Sequence, residues 1–236
     1  MAQRKYAPML LAGLTAAILS IGQVQAAVIH QNDTTNTDVI PGLTGFGTTG
    51  AMMNGMTVTA VFAGGAEVAY WGATGASSGS VTGTGWSISQ SDSTYGNPWN
   101  FSFTVGAAPL QLMKLIFNGS TGLTVFDRTP TDVSDSSTWG TPGSAQGWDL
   151  EFTDSSISAL VTYSDQIAIG ADPVVGDLWH TLTVDFGSNG IRQNFAFIQD
   201  TDNDSRFGVP EPATLGLMGL ALLGLGWNRR KHNVVS

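Results

Sequence analysis

Short stretches of alternating apolar and polar side chains fill the middle of the chain. In Thr57–Phe62 every second residue is apolar, and the same period of two recurs at residues 101–105, 182–186 and 195–197. Successive side chains of a strand point to opposite faces of a sheet, so this period predicts half-buried β-strands. No window shows a regular 3.6-residue apolar period, which an amphipathic helix would need.

Glycine, proline, asparagine and aspartate separate these strands at intervals of about ten residues. That spacing predicts an all-β fold, namely a single β-sandwich or jelly-roll-like domain over residues 27–208. The segment is long enough to bury one core, and it contains neither an internal repeat nor a long linker. Residues 110–117 and 158–169 are the two places where a short helix would fit in place of a strand.

The first 26 residues have the three parts of a signal peptide. Arg4 and Lys5 precede an apolar run over residues 9–21, and a small residue, Ala26, follows it. This order predicts export through the Sec machinery and cleavage after Ala26. A membrane anchor is the rival interpretation, but the run is short and its downstream flank is polar.

The last 28 residues, 209–236, predict a membrane-spanning segment. The uncharged run 213–227 would form a helix of roughly 22 Å, which is short for a hydrocarbon core of about 30 Å. Its flanks favour a span, because Trp227 suits the interface and the cations of the tail 228–236 would stay in the cytoplasm. The residues that flank the run are Val209, Pro210, Glu211 and Pro212 before it, and Arg229, Arg230 and Lys231 after it.

This order of parts resembles the PEP-CTERM sorting signal of Gram-negative bacteria. The resemblance implies that the tail holds the exported protein in the inner membrane until exosortase, an integral-membrane cysteine protease-like transpeptidase, cleaves near Pro210. The resemblance also implies that proteins with this signal are released to the cell surface or into an exopolysaccharide matrix. Short segments of the body, such as residues 85–87 and 197–202, resemble a group of PEP-CTERM proteins with uncharacterised bodies. That likeness implies a shared β domain and no activity.

The charge and the cysteine content exclude several classes of function. Residues 27–209 contain four basic and 17 acidic residues, a net charge of −13. So acidic a surface argues against nucleic acid and anionic membranes as partners. The chain has no cysteine, which excludes disulfides and a thiol nucleophile, so its stability must come from the core.

An acidic run at the end of the body suggests a metal site. Asp200, Asp202 and Asp204 occupy alternate positions just after a predicted strand, and carboxylate oxygens are the ligands that Ca²⁺ prefers. Ser205 stands where an EF-hand loop requires glycine, so any calcium site here would have a looser form. The alternative is a polar junction between the domain and the sorting signal.

Tryptophans are candidates for binding sugars, because their flat apolar faces stack on sugar rings. Trp99, Trp139 and Trp148 lie beside proline or glycine in turn-like sequence, and we predict that they are exposed. Trp86 and Trp179 are predicted to fill the core instead.

Catalytic motifs are present only in weak form. Residues 75–79 match the nucleophile-elbow pattern around Ser77, and His180 would be its base, but a strand rather than a helix is expected to follow. A glycosidase needs two carboxylates, for which Asp149 and Glu151 are candidates, with Glu67 as a third. The glycine pattern at residues 45–50 lacks the strand and helix of a dinucleotide site and is interpreted as a loop.

The sequence therefore predicts an exported, acidic and non-catalytic protein of the cell surface or extracellular matrix, associated with exopolysaccharide in a biofilm. The alternative is a secreted carbohydrate-active hydrolase on the same β-sandwich. A third hypothesis is an adhesin that self-associates through its edge strands. Calcium is the one cofactor that the sequence suggests.

Overall fold

The computed structural model describes residues 27–44, 47–104, 111–129 and 146–206, and these residues form two β-sheets. The predicted signal peptide, the sorting segment 209–236 and Trp139 lie outside the described residues. Within the described ranges, no helix has both the length and the apolar character needed to cross a membrane.

Fifteen strands run through the described residues. They are β1 (Val28–Ile40), β2 (Leu43–Thr44), β3 (Thr57–Phe62), β4 (Gly65–Tyr70), β5 (Gly72–Ala73), β6 (Ser78–Gly83), β7 (Trp86–Ser91), β8 (Trp99–Phe103), β9 (Leu112–Asn118), β10 (Thr124–Asp127), β11 (Glu151–Phe152), β12 (Ala159–Ile169), β13 (Leu178–Asp185), β14 (Phe195–Ile198) and β15 (Thr201–Asp204). Two short 3₁₀ turns, Gly50–Met53 and Ser120–Gly122, complete the regular structure there. The all-β fold class is confirmed. The two segments in which a short helix was the alternative to a strand form β9 and β12.

The larger sheet has nine strands and the smaller has six. The larger runs in the order β2-β15-β10-β13-β9-β3-β4, and β13 also pairs with β12, which in turn pairs with β1. The smaller runs in the order β11-β14-β8-β7-β6-β5. All of these pairings are antiparallel except that of β1 with β12.

The core fills the space between the two sheets with alternate side chains of their strands. Val58 of β3 and Phe117 of β9 contribute from the larger sheet, and Trp86 and Phe101 contribute from the smaller. These side chains are almost completely buried, as the period of two predicts. Trp86 and Trp179 are both fully buried, which confirms their predicted place in the core.

Trp99 lies at the centre of this core, so the prediction that it is exposed is wrong. Its exposed fraction is 0%, and its ring lies 5.1 Å from that of Trp71 and 5.6 Å from that of Phe197. The indole Nε1 donates to the backbone oxygen of Gln199 at 3.1 Å. Trp99 is the first residue of β8, and the alternation that buries Phe101 also turns Trp99 inward.

One half of the larger sheet curls around a second, smaller core. Its two outer strands, β1 and β2, are joined directly by residues 41–42, which brings the edges of this half together. Ile40, Val125, Ile167 and Leu178 pack inside the curl. The parallel pairing of β1 with β12 is interrupted next to Asp165, whose φ is 57°. A bulge of this kind bends a strand, and here it accompanies the curl.

We predict that Trp99→Ala lowers the free energy of unfolding by about 3–5 kcal/mol, because it leaves a large cavity among packed rings. Tyr70→Ala is the matched control, since Tyr70 is 71% exposed on β4. The measurement is equilibrium urea unfolding followed by far-ultraviolet circular dichroism. Equal losses for the two variants would contradict the central position of Trp99.

Candidate functional site

An open groove lies beside the junction of the two sheets, with a volume of about 330 Å³. Two aromatic side chains, Trp148 and Tyr95, meet edge to face in it, with their ring centroids 5.8 Å apart and their planes at 88°. Tyr95 is 42% exposed and Trp148 is partly buried. The remaining lining residues are Thr129, Gly147, Asp149 and Glu151. The structure therefore places Trp148 at a surface cavity, as the sugar-stacking hypothesis requires.

Backbone contacts fix the position of Trp148. Its N–H donates to the backbone oxygen of Asp127 at 3.2 Å, and its own oxygen accepts from the side-chain amide of Gln199 at 3.0 Å. Gly147 precedes it, and a Cβ at that position would lie only 2.2 Å from the backbone oxygen of Arg128. Only glycine fits this close approach, so the turn that presents Trp148 depends on Gly147.

Asp149 is held in the groove by Arg128. The guanidinium donates from Nε to Oδ1 at 2.9 Å and from Nη2 to Oδ2 at 2.7 Å, which is a bidentate pair. Arg128 also lies over the ring of Tyr163, 4.4 Å from its centroid, and donates to Asn32. The position of the Asp149 carboxylate in the groove is therefore fixed by Arg128.

Glu151 brings a second carboxylate to the same groove. It is the first residue of β11, where it pairs with Ile198, and it is exposed. The structure thus brings together Asp149 and Glu151, the two candidate glycosidase carboxylates. Glu67 lies elsewhere, on β4, where it accepts from Trp86 Nε1 at 2.8 Å. This hydrogen bond, with those from Thr84, lowers the pKa of Glu67.

Ser77 and His180, the predicted nucleophile and base, are not hydrogen-bonded to each other. Ser77 Oγ donates to Asp92 at 2.8 Å, whereas His180 Nδ1 lies 3.0 Å from a carboxylate oxygen of Asp38. Ser77 comes directly before β6 of the smaller sheet and His180 lies in β13 of the larger one. A strand therefore follows Ser77 where a nucleophile elbow requires a helix.

The three aspartates of the predicted calcium site are divided between two environments. Asp204 accepts from Arg206 Nε at 2.7 Å, and the hydrogen bonds from Arg206 outweigh the effect of burial and lower the pKa of Asp204. Asp200 and Asp202 instead lie near Asp127 and Asp177, in a cluster that we call the aspartate cluster (Asp127, Asp177, Asp200 and Asp202). In the described part of the chain, no three histidine or acidic side chains are placed to hold a metal ion. The geometry therefore adds no support to a calcium site.

Burial and mutual repulsion dominate the aspartate cluster. Burial raises the pKa of Asp202 to about 8 and that of Asp200 to about 7, and the neighbouring carboxylates add to the shift of Asp202. The pKa of Asp127 is raised well above its usual range by burial and then by Asp202. Asp127 Oδ1 and Asp202 Oδ2 are buried without a hydrogen-bond partner.

Asp127 and Gln199 hold this region together, although their local sequence does not mark them as candidates. Asp127 ends β10 after three apolar or β-branched residues, which is a weak signal for a buried carboxyl. Gln199 follows β14 and is fully buried, and nothing in its local sequence predicts its hydrogen bonds to distant carbonyls. Only the strand pairing brings these residues together.

Residues 208–231, directly after the described domain, match the PEP-CTERM protein-sorting motif. The chain carries a PEP-CTERM sorting signal. The match includes the predicted Pro210, Glu211 and Pro212 and the basic residues up to Lys231, and it confirms the resemblance drawn from them. Neither a curated protein nor a solved structure matches the chain.

The PEP-CTERM signal identifies the chain as an exported protein that is sorted by exosortase. The groove therefore belongs to a domain that functions outside the cytoplasm. An acidic, cysteine-free domain with partly exposed aromatic rings suits that location.

We predict that Asp149→Asn destabilises the fold by about 1–3 kcal/mol, because it leaves the largely buried Arg128 without its ionic partner. The loss is smaller than for a completely buried ion pair, because the Asp149 side chain is 24% exposed and solvent screens the pair. Glu151→Gln is the control, because it removes an exposed carboxylate that lines the same groove. Thermal unfolding followed by circular dichroism measures both, and a melting temperature unchanged by Asp149→Asn would show that the pair is not structural.

Proposed function

We propose that this PEP-CTERM protein is a non-catalytic component of the cell surface or extracellular matrix, which binds exopolysaccharide through the Trp148 groove. The observation that carries the proposal is the pairing of Trp148 with the exposed Tyr95 in an open cavity that also contains carboxylates. Aromatic faces pack on the apolar side of a sugar ring, while polar groups set its orientation.

The polar lining of the groove supports a sugar ligand. Carboxylate oxygens of Asp149 and Glu151 accept hydrogen bonds, and the Thr129 hydroxyl, which donates to Gly147 at 2.7 Å, still has acceptor capacity. Sugar hydroxyls are matching donors. The net charge of −13 over residues 27–209 favours a neutral polymer over an acidic one.

The same groove favours binding over hydrolysis. A glycosidase needs one carboxyl that stays protonated as an acid and a second that acts as base or nucleophile. Both carboxylate oxygens of Asp149 accept hydrogen bonds from Arg128, so Asp149 serves as the structural partner of Arg128 rather than as a free base or nucleophile. A secreted carbohydrate-active hydrolase remains the second candidate, because Asp149 and Glu151 do line one cavity.

The proposed route to the surface combines both termini. The signal peptide 1–26 directs Sec export, and the run 213–227 then holds the protein in the inner membrane with Arg229, Arg230 and Lys231 on the cytoplasmic side. Exosortase cleaves near the Pro-Glu-Pro of residues 210–212 and frees the domain.

We predict that Trp148→Ala weakens binding to the purified exopolysaccharide of the producing bacterium by about tenfold or more, since it removes a central aromatic contact. Affinity electrophoresis with the polymer in the gel measures the change. Tyr70→Ala is the matched control, because it removes an exposed aromatic ring from β4, outside the groove. Equal retardation of the parent and Trp148→Ala would exclude the groove as the binding site.

A reducing-end assay on the same polymer decides between binding and hydrolysis. We expect no new reducing ends with the parent protein or with Glu151→Gln. Polymer cleavage that disappears in Glu151→Gln would establish the hydrolase and overturn the non-catalytic assignment.

We predict that native protein from the cell surface and medium lacks the residues that follow the Pro-Glu-Pro. Intact mass spectrometry of surface, medium and inner-membrane fractions measures the C-terminal end. The double variant Pro210→Ala with Pro212→Ala should accumulate uncut in the inner membrane, whereas Pro173→Ala in the domain should be processed normally. A surface protein with its tail intact would contradict the proposed route.

A further inference from the structure

We infer that the groove of Trp148 and Tyr95 recognises amino sugars that carry a free amine, so that its ligand is a polysaccharide with de-N-acetylated hexosamine units. In this assignment the Glu151 carboxylate binds the ammonium group, and the two aromatic rings contact the sugar beside it. The inference rests on the proposed function, because it names the class of sugar that the same groove binds.

The two carboxylates of the groove differ in their partners. Asp149 forms a salt bridge with Arg128 at 2.7 Å, so the cation beside it belongs to the protein. The remaining ion pairs of the described residues lie outside the groove. Glu151 is therefore the groove carboxylate whose cation comes from a ligand or from solvent.

The strand β11 fixes the position of Glu151. It is the first residue of this edge strand of the smaller sheet and pairs with Ile198 of β14. The next residue, Phe152, packs against the core, so the alternation along the strand turns Glu151 outward, where it is exposed. The backbone thus sets where the carboxylate lies, while its oxygens stay accessible to a ligand.

The aromatic pair supplies a surface that suits a cation. The ring centroids of Trp148 and Tyr95 lie 5.8 Å apart with their planes at 88°, and Tyr95 is 42% exposed. The face of an aromatic ring attracts an ammonium group that comes within about 6 Å of its centroid. Aromatic rings beside a carboxylate therefore favour a charged amine over a neutral sugar group.

Several hydrogen-bond donors that line the groove are committed within the protein. The Thr129 N–H donates to Asp149 at 3.2 Å, and the Thr129 hydroxyl donates to the backbone oxygen of Gly147 at 2.7 Å. The N–H of Trp148 donates to the backbone oxygen of Asp127 at 3.2 Å. The lining thus offers acceptors more than donors. An ammonium group has three donors and no acceptor, so it matches this lining.

The same set of lining groups disfavours N-acetylated sugars. Acetylation removes the positive charge of the amine and adds a carbonyl oxygen, which is an acceptor. An acceptor that enters the groove without finding a donor loses its hydrogen bonds to water and gains none in return. Discrimination would therefore come both from the contact that the amine gains and from the contact that the acetyl group lacks.

The net charge of the domain acts in the same direction but at longer range. Residues 27–209 carry a net charge of −13, and so acidic a surface attracts a polymer with positive charges. This attraction is shared by all the acidic side chains, so it does not by itself select the groove. A test must separate the local contact at Glu151 from the overall charge.

Isothermal titration calorimetry of the full chain in a non-ionic detergent, with three sugar hexamers, tests the inference. The hexamers contain glucosamine, glucose or N-acetylglucosamine with the same linkage, and a mildly acidic buffer keeps the glucosamine amines charged. We expect the glucosamine hexamer to bind about tenfold more tightly than either of the others, because it alone makes a charge-assisted hydrogen bond. Equal affinities for the three hexamers, or no binding of the glucosamine hexamer, would overturn the inference.

Matched variants separate the groove from the overall charge. Glu151→Gln keeps the shape of the side chain but removes the carboxylate, so the preference for glucosamine should fall about tenfold. Asp172→Asn removes one carboxylate from the exposed loop after β12 and should keep the preference of the parent. A preference that survives in Glu151→Gln, or that falls equally in both variants, would assign the binding to the net charge and overturn the inference.

Trp148→Ala distinguishes a failure of this inference from a failure of the proposed function. If the parent binds the three hexamers equally and Trp148→Ala weakens all of them, the groove binds sugars and only the assignment to amines is overturned. If Trp148→Ala binds the glucosamine hexamer as tightly as the parent does, the groove is not the binding site and both are overturned. Binding to the native exopolysaccharide is measured separately, so the hexamers alone do not decide the proposed function.

Discussion

The side chain of Gln199 links the core, the groove and the aspartate cluster. Its amide Nε2 donates to the backbone oxygens of Asp127, Trp148 and Asp200, and its Oε1 accepts from the hydroxyl of Tyr163 at 2.5 Å. Each of these groups is provided by a different segment, and Gln199 itself is fully buried. A buried polar network of this kind is stable only when every member is satisfied, so these segments must be positioned together. The geometry of the groove is therefore a consequence of the interior rather than of its own loop.

The fold could be predicted from local sequence, because the alternation of apolar and polar side chains along a strand is a local property. The pattern of β3 and β13 predicted strands, and it also predicted which of their side chains are buried. Trp99 shows where local reasoning fails, because its neighbour Pro98 suggests a turn while the next residues continue an inward-facing strand.

The candidate site was harder to predict, because its residues come from distant parts of the sequence. Trp148 could be recognised as a candidate, but its partner Tyr95 lies more than fifty residues away, and only the tertiary fold brings the two rings together.

The environment of the acidic run at residues 200–204 also could not be predicted from local sequence. Asp200, Asp202 and Asp204 share one face of a strand, which made a common metal site reasonable. The pairing of β15 with β10 places two of them near Asp127, whereas Arg206 fixes the third. Local spacing determines which side chains share a face, but it cannot determine whether the opposite strand brings a cation or another acid. That difference decides the direction of the shift: the pKa is raised for Asp200 and Asp202 and lowered for Asp204.

The polar interior and the aromatic core of the domain differ in the interactions that hold them together. Without cross-links, the sandwich depends on its aromatic core, and Trp99, Phe117 and Phe197 pack there without any need for a charge. The four residues of β15 are also buried, but hydrogen bonds hold them: Thr201 N–H donates to the Thr94 hydroxyl and the Asn203 side-chain amide donates to the backbone oxygen of Met52. Loss of one of these partners would leave a buried polar group unsatisfied, which costs more than a hydrogen bond contributes on balance. The last described strand before the sorting signal is therefore held in place by residues that lie far from it in the sequence.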